Sequence, residues 1–443
     1  MKRVFIIAML VCYAITGFAQ NDAASKLLGA WTGIRPDDQS QHDLTLVFHF
    51  KQTDSTLKVT MDSPDQSLKG IPCEVEFLPD DSLVITYKNW GITYHAHLND
   101  DKIEGTYIQG GWTTPLVLTK GEIELKRPQH PIPPYPYKTE DVTFRNEADS
   151  ATLAGTICWP VGYNPKSKRK PTVVLFVTGS GLENRDEEIY DHKFFLVIAD
   201  YLARHGIASL RYDDRATGAS VGGDIKNATS EDFAHDAAAG LEFLRNMNAF
   251  SKVGLIGHSE GGLIGFLLSG QGLTDFLVSM AGTGVKGDIF AVSQHNRLME
   301  ILGKPDTMTV EKIRQQPVFQ KVPWYKWLLD YDPSKNISKT LCPVFALNGD
   351  RDQQVISSLN LTAIEKLLPK SKKNLIKEYP ELNHLFQHCT TGLTYEHRGI
   401  EETISPEVLK DIADWINGLG KIKKRKSSLS LGEGGGRGFT PSP

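Results

Sequence analysis

The run Val253-Gly254-Leu255-Ile256-Gly257-His258-Ser259-Glu260-Gly261-Gly262 decides how this 443-residue chain folds. Its small and apolar first half predicts a buried strand. Gly257-x-Ser259-x-Gly261 then predicts a tight strand-to-helix turn that holds a serine up as a nucleophile. Glycine is needed on both sides because the serine sits in a strained conformation, where a flanking Cβ would strike the neighbouring strand or helix. The apolar continuation Leu263-Ile264-Gly265-Phe266-Leu267-Leu268 supplies the helix that such a turn requires.

A serine is a weak nucleophile at neutral pH, so it needs a histidine base, and the base needs a carboxylate to orient it. The expected chain order is serine, acid, histidine. Downstream, the apolar residues 344–347 lead into Asn348-Gly349-Asp350-Arg351-Asp352, which offers Asp352 as the acid and Asp350 as its rival, the latter also suited to a turn beside Gly349. His384, in a loop after an expected strand at 374–379, is the candidate base. His388 and His397 compete with it from the same region, while His258 is expected to pack beside the nucleophile. Backbone N–H groups must stabilise the oxyanion. The expected donors are those of Glu260 and of Ser180, or alternatively Gly181, in the loop Thr178-Gly179-Ser180-Gly181 that follows a strand at 173–177.

Around these residues strands and helices alternate from about 141 to 420, which predicts a mostly parallel sheet with helices on both faces. Residues 286–336 break that rhythm with an amphipathic stretch at 294–302 and the aromatics Trp324, Tyr325 and Trp327. A helical cap over the C-terminal edge of the sheet is expected there. Residues 20–125 read differently. Short, often alternating apolar runs at 44–50, 57–61, 73–77, 83–87 and 116–118, separated by turn formers, predict a small all-β barrel or sandwich. Its aromatics, Trp31 and the stretch from Gly105 to Trp112, either plug the core or line a ligand cavity. The proline-dense segment 126–140 joins the two parts as an extended, semi-rigid linker.

The ends carry signals of their own. Met1-Lys2-Arg3, an apolar run from Val4 to Val11, and the small residues of Gly17-Phe18-Ala19 read as a secretory signal peptide at 1–19, placing the chain in the periplasm or outside the cell. The basic, Gly/Ser/Pro-rich residues 421–443 read as a disordered, non-catalytic tail. The chain has a net charge of −4, and the cations of both ends leave the body between them more acidic still. That excludes nucleic acid as an expected partner, and no integral membrane span is expected. Cys73, Cys158, Cys342 and Cys389 lack metal-ligand spacing, so no metal site is expected on them and their pairing stays open.

Several stretches together resemble the α/β-hydrolase superfamily, in particular the exported bacterial serine carboxylesterases near its serine aminopeptidase-like and dienelactone hydrolase-like branches. These are Val177-Thr178-Gly179-Ser180-Gly181 with Asn184-Arg185-Asp186-Glu187, Arg211-Tyr212-Asp213-Asp214-Arg215-Ala216-Thr217-Gly218, the serine turn, Gly349-Asp350-Arg351-Asp352, Asn383-His384 and the final helical stretch from 404 to 416. The resemblance spans residues 138–418, favours Asp352 over Asp350, and departs where Ala216 replaces a glycine. It implies an α/β-hydrolase sheet with a helical cap and a cofactor-free Ser259–His384–Asp352 triad acting on small-molecule, short-chain acyl esters. A peptidase or thioesterase on the same triad is the alternative, and a glycan- or lipid-binding protein on an inactive scaffold is another.

Overall fold

The structure, a computed structural model, describes residues 25–420 apart from 36–43, 54–55, 67, 79–81, 100, 123–124 and 305–306. The signal segment at 1–19 and the tail at 421–443 lie outside the described residues. Among those described, no helix is long and apolar enough to cross a membrane.

Between barrel and sandwich, the N-terminal part is a barrel. Strands β1 (Gly29–Arg35), β2 (Leu44–Thr53), β3 (Thr56–Ser63), β4 (Leu68–Phe77), β5 (Ser82–Tyr87), β6 (Ile92–Asn99), β7 (Lys102–Gln109) and β8 (Trp112–Lys120) pair in sequence order. Closure comes from β1 pairing with both β2 and β8, so that Trp31 lies opposite Phe48 on one side and Lys120 on the other. Alternation along β6 turns Ile92, Tyr94, Ala96 and Leu98 inward. They meet Trp31, Phe48, Phe50, Ile103 and Tyr107 in one cluster that fills the interior. Tyr94 is fully buried, and its hydroxyl shares its one proton between the carbonyls of Ile103 and Leu116 at 3.0 and 2.9 Å, removing the cost of an unpaired polar group.

The proline-dense linker is tied down along its length. The Arg127 guanidinium donates to the carbonyls of Tyr190, Asp191, Arg398 and Ile400, and the Gln129 amide bonds both ways with Thr403 and Ile404. A forked cation that collects loop carbonyls makes the segment a strap on the second domain.

That domain is an eight-stranded sheet in the order β18-β17-β16-β15-β11-β14-β10-β9. Its strands are β9 (Thr139–Asn146), β10 (Ala151–Cys158), β11 (Thr172–Val177), β14 (Ile207–Tyr212), β15 (Lys252–His258), β16 (Leu277–Met280), β17 (Val344–Gly349) and β18 (Leu375–Tyr379). A small hairpin, β12 (Glu188–Ile189) with β13 (His192–Lys193), stands apart. From β14 to β18 the pairing is parallel; β9 and β10 add an antiparallel edge. Helices Phe194–Arg204 and Pro406–Gly418 cover one face, and helices Ser230–Asn246, Glu260–Gly270 and Ser357–Leu367 the other. Strands buried on both faces explain why β11 and β15 read as continuous apolar runs rather than alternating ones. Between β16 and β17 lie the helices Gly287–Ile301, Val310–Gln315, Pro317–Lys321, Pro323–Asp330 and Ser334–Lys339, with a small apolar cluster of Ala291, Met308, Ile313 and Leu329.

Candidate active site

Ser259 sits between β15 and helix Glu260–Gly270 at φ 52°, ψ −115°. A Cβ on Gly257 would lie 2.0 Å from the Gly261 carbonyl oxygen, and one on Gly261 would lie 2.1 Å from that of Val177. The turn therefore closes only with glycine at both places, which is how the sequence stores strain at the serine.

The loops after β11, β17 and β18 leave the same edge of the sheet. The carboxylate of Asp352, beyond β17, accepts from the backbone N–H groups of Gln354 and Val355 at 2.8 and 2.9 Å through Oδ1. Its Oδ2 lies 2.7 Å from Nδ1 of His384, with both side chains buried. Asp350 instead accepts from the Glu381 N–H at 2.7 Å, the bond of a loop former. The His384 loop is braced by Asn383, whose Oδ1 accepts from the Leu385 and Gln387 N–H groups. His388 is exposed and bonded to Glu402. His397 is buried, and burial followed by the neighbouring histidines pushes its pKa down to about 3. Among the described residues no hydrogen bond joins the Ser259 hydroxyl to His384; the two are brought together through His258.

His258 does more than pack beside the serine. Its Nδ1 lies 2.9 Å from Oε1 of the fully buried Glu187, and its Nε2 lies 3.0 Å from the carbonyl of His384. The same Glu187 oxygen accepts from the Gly179 N–H at 2.7 Å. One carboxylate thus joins the loop after β11 to the serine turn, and one imidazole joins that turn to the His384 loop. Burial opposes charge on His258, but Glu187 outweighs it and holds the imidazole pKa above its ordinary value. Nothing in the spacing of Glu187 marks it as a partner of a residue 71 positions away; it entered the sequence reading only within a stretch carrying the family resemblance.

The Gly179 N–H is committed to Glu187, so the N–H of Ser180 is the next donor along that loop, and a Cβ on Gly179 would stand 3.6 Å from the Ser259 Cβ. On the opposite side, Gly262 and Leu263 donate to the Ser259 carbonyl, and Glu260 opens the helix. Its side chain is buried, raising its pKa, and Oε1 accepts from Trp324 Nε1 of the cap at 2.9 Å. Trp327, by contrast, stacks on Tyr331 and joins the core beneath the cap. Glu183 lies next to the loop after β11, and burial, then Glu187, pushes its pKa up to about 7.

Further charges pin these loops. Arg185 bonds Asp213 at 2.7 Å, Arg211 bonds Asp186, and Arg215 bonds Asp236 at 2.7 Å, while Asp214 accepts from Thr178 and Glu183. Asp149, Asp232 and His235 come within metal-ligating distance of one another, but Asp149 already accepts from Arg215 and Asn146 at 3.0 Å each. Cys73, Cys158, Cys342 and Cys389 are unbridged.

A cavity of about 340 Å³ opens between the cap and the loop beyond Asp352, with Ala291, Leu298, Ile313, Phe319, Gln353 and Leu393 among its walls.

Residues 191–285, from the β12–β13 hairpin through the serine turn, match the family model of the serine aminopeptidases, S33. Esterase EstD of Thermotoga maritima is 25% identical over 313 residues, covering 67% of this chain and 71% of that protein. Among solved structures, Est1E from Butyrivibrio proteoclasticus superposes with a TM-score of 0.44 at 14% identity, over 63% of this chain and 98% of that one. The Pyrococcus furiosus esterase Pf2001 does so with a TM-score of 0.44 at 15% identity, over 67% and 99%. Its sheet order and its serine turn give the second domain an α/β-hydrolase fold, and its matched segment is similar to the serine aminopeptidases, S33.

Proposed function

We propose that this protein is a carboxylic ester hydrolase that cleaves short-chain acyl esters through Ser259, His384 and Asp352. The observation that carries the reading is the buried 2.7 Å contact between His384 Nδ1 and Asp352, in loops that converge on a strained serine. With Nδ1–H donated to Asp352, Nε2 of His384 is left as the acceptor for the Ser259 proton. Ser259 Oγ adds to the ester carbonyl, and the oxyanion is held by the N–H groups of Ser180 and Glu260, each worth roughly 3 kcal/mol of barrier. The imidazolium returns its proton to the departing alcohol. Water, deprotonated by the same nitrogen, then releases the acid and restores Ser259. The cavity beside Asp352 suits a small acyl or alcohol group, and EstD, an esterase by name, supports the ester as substrate.

The match to the S33 serine aminopeptidases favours an amide substrate as the second reading, since amide and ester cleavage share one tetrahedral intermediate. A fluorophosphonate, p-nitrophenyl esters from C2 to C8 and aminoacyl anilides separate the two. The expected result is covalent labelling of Ser259, with kcat/KM highest on the C2 and C4 esters and negligible on the anilides. Active protein left unlabelled at Ser259 would remove the nucleophile from this scheme. Export follows from the segment at 1–19, and a mature N-terminus at Gln20 is the outcome that supports it.

A further inference from the structure

One rim of the barrel carries a set of residues that the hydrolytic site does not use. Tyr87, Ile92, Gln109 and Trp112 are successive cross-strand partners over β5, β6, β7 and β8, at the end where the β5–β6 and β7–β8 connections turn. By alternation they belong to the inward-facing set, but at the rim Trp112 is 56% exposed. Trp90, in the β5–β6 connection, is 42% exposed and stands edge-on to Tyr87 with ring centroids 5.1 Å apart. The two connections touch, since a Cβ on Gly91 would lie 4.0 Å from the Gly110 nitrogen. Gly91, Gly110 and Gly111 all have positive φ, the backbone conformation these tight connections require.

The chemistry of this rim narrows its ligand. Below it the barrel is packed with Tyr107, Tyr94 and Phe48, each at most 2% exposed, so an acyl chain has no hollow to enter. The side-chain carbonyl of Gln109 accepts from the Tyr107 hydroxyl at 3.2 Å, which leaves its amide N–H groups as donors for a ligand. Tyr87, Trp90, Gln109 and Trp112 are uncharged, nearby Lys88 is paired with Glu74 at 2.8 Å, and the Arg35 guanidinium at the end of β1 is engaged over the Tyr107 ring, 5.6 Å from its centroid. A ligand fitting these terms lies flat, offers an apolar face to an indole, and carries hydroxyls on its edge. That is a pyranose ring.

The rim is continuous with the barrel's junction to the catalytic domain. In an up-and-down barrel alternate connections share an end, so the β3–β4 connection lies at this same rim. From it Asp65 reaches Arg398 at 3.6 Å, and at the start of β4 Lys69 reaches Asp191 at 2.9 Å. Asp191 lies in the hairpin directly after Glu187. We propose that this rim binds a neutral glycan chain and holds it beside the hydrolase, making ester-bearing polysaccharide the substrate class. The proposal rests on the ester-hydrolase reading for the word substrate, not for the binding.

The test uses the full chain on affinity gels containing xylan, mannan or mixed-linkage glucan, with xylohexaose titrations read by tryptophan emission. Retardation by at least one gel is expected. Trp90→Ala and Trp112→Ala should each weaken it by roughly tenfold, as loss of an aromatic anchor does, while Trp112→Phe retains binding and all variants keep their melting temperature. Hydrolysis of p-nitrophenyl acetate should stay unchanged in these variants while deacetylation of acetylated xylan falls. No retardation by any of the three gels, equal retardation of parent and variants, or an emission shift with phosphatidylglycerol vesicles but not with xylohexaose would each overturn the proposal. Retardation in a protein inactive on every ester would instead fault the hydrolase reading and leave the glycan site standing.

Discussion

Two histidine–carboxylate pairs lie side by side in this molecule, and they are built for different tasks. His384 meets Asp352 at 2.7 Å and His258 meets Glu187 at 2.9 Å, both through Nδ1, both buried, with ring centroids 4.7 Å apart. The second ring nitrogen separates them. Nε2 of His258 is occupied by the His384 carbonyl, whereas Nε2 of His384 has no protein partner among the described residues. A histidine bonded at both ends is a cross-link, and one bonded at a single end is free to move a proton. Pairing with a carboxylate is common to both, and in the proposed mechanism it is the open nitrogen that lets His384 take the Ser259 proton.

The largest effect that sharpens this contrast is on the His384 side. Asp352→Asn should lower kcat/KM on p-nitrophenyl acetate by about 10⁴, because the amide favours the wrong tautomer. Ser259→Ala should lose a similar amount, with the double variant little worse than either single one. Melting temperatures near that of the parent would show that chemistry, not folding, was removed. If Glu187→Gln were the crippling change and Asp352→Asn harmless, the two pairs would have their roles reversed.

On the His258 side the loss should appear first as stability. Glu187→Ala leaves Nδ1 of the buried His258 and the Gly179 N–H without their shared partner, at a cost of about 3–5 kcal/mol in urea unfolding. Glu187→Gln keeps an acceptor and should cost less. Its residual effect should fall on kcat rather than KM, since the Gly179 loop carries Ser180, the proposed oxyanion donor.

A pH profile offers a smaller difference. Both His258 and Glu183 have folded-state pKa values above their ordinary ones, the latter at about 7. At these two groups the folded state binds more protons than the unfolded chain, so their contribution to stability declines as pH rises through these pKa values. For Glu183 the decline runs from about pH 4.5 to about 7, and Glu183→Gln should flatten that part of the melting curve. An unchanged slope would mean that Glu183 ionises freely beside the oxyanion loop.

The smallest expected change is a control belonging to neither histidine. Ala216 follows Arg215, which is paired with Asp236, and adopts φ 54°. Ala216→Gly should stabilise the protein by about 0.5 kcal/mol with no change in kcat/KM. A fall in activity would show that this remote ion pair also reaches the site.

The serine turn was legible because two glycines and a buried strand leave one way to connect a strand to a helix. The order of the Asp352 and His384 loops was legible because β17 and β18 are short apolar runs whose exits can be read from the chain. Asp352 and Asp350 were harder to separate. They are two residues apart, and the difference lies in which carboxylate meets His384 and which meets the Glu381 N–H. The linker was read as a spacer, but the carbonyls that Arg127 and Gln129 bind come from loops up to 275 residues away.

Local pattern determined what each segment of this chain is: β-rich and turn-rich to about residue 120, alternating strands and helices beyond it, and a strained serine at the centre. Hydrophobic period and turn chemistry act over a few residues and need no partner. Tertiary structure alone decided that the first domain closes as a barrel with a filled interior, that Glu187 bridges two loops, and that Trp324 rather than Trp327 faces the serine turn. Each of those is a contact between residues far apart in the chain, set by packing and by the need to satisfy buried charge, and no local pattern carries that information.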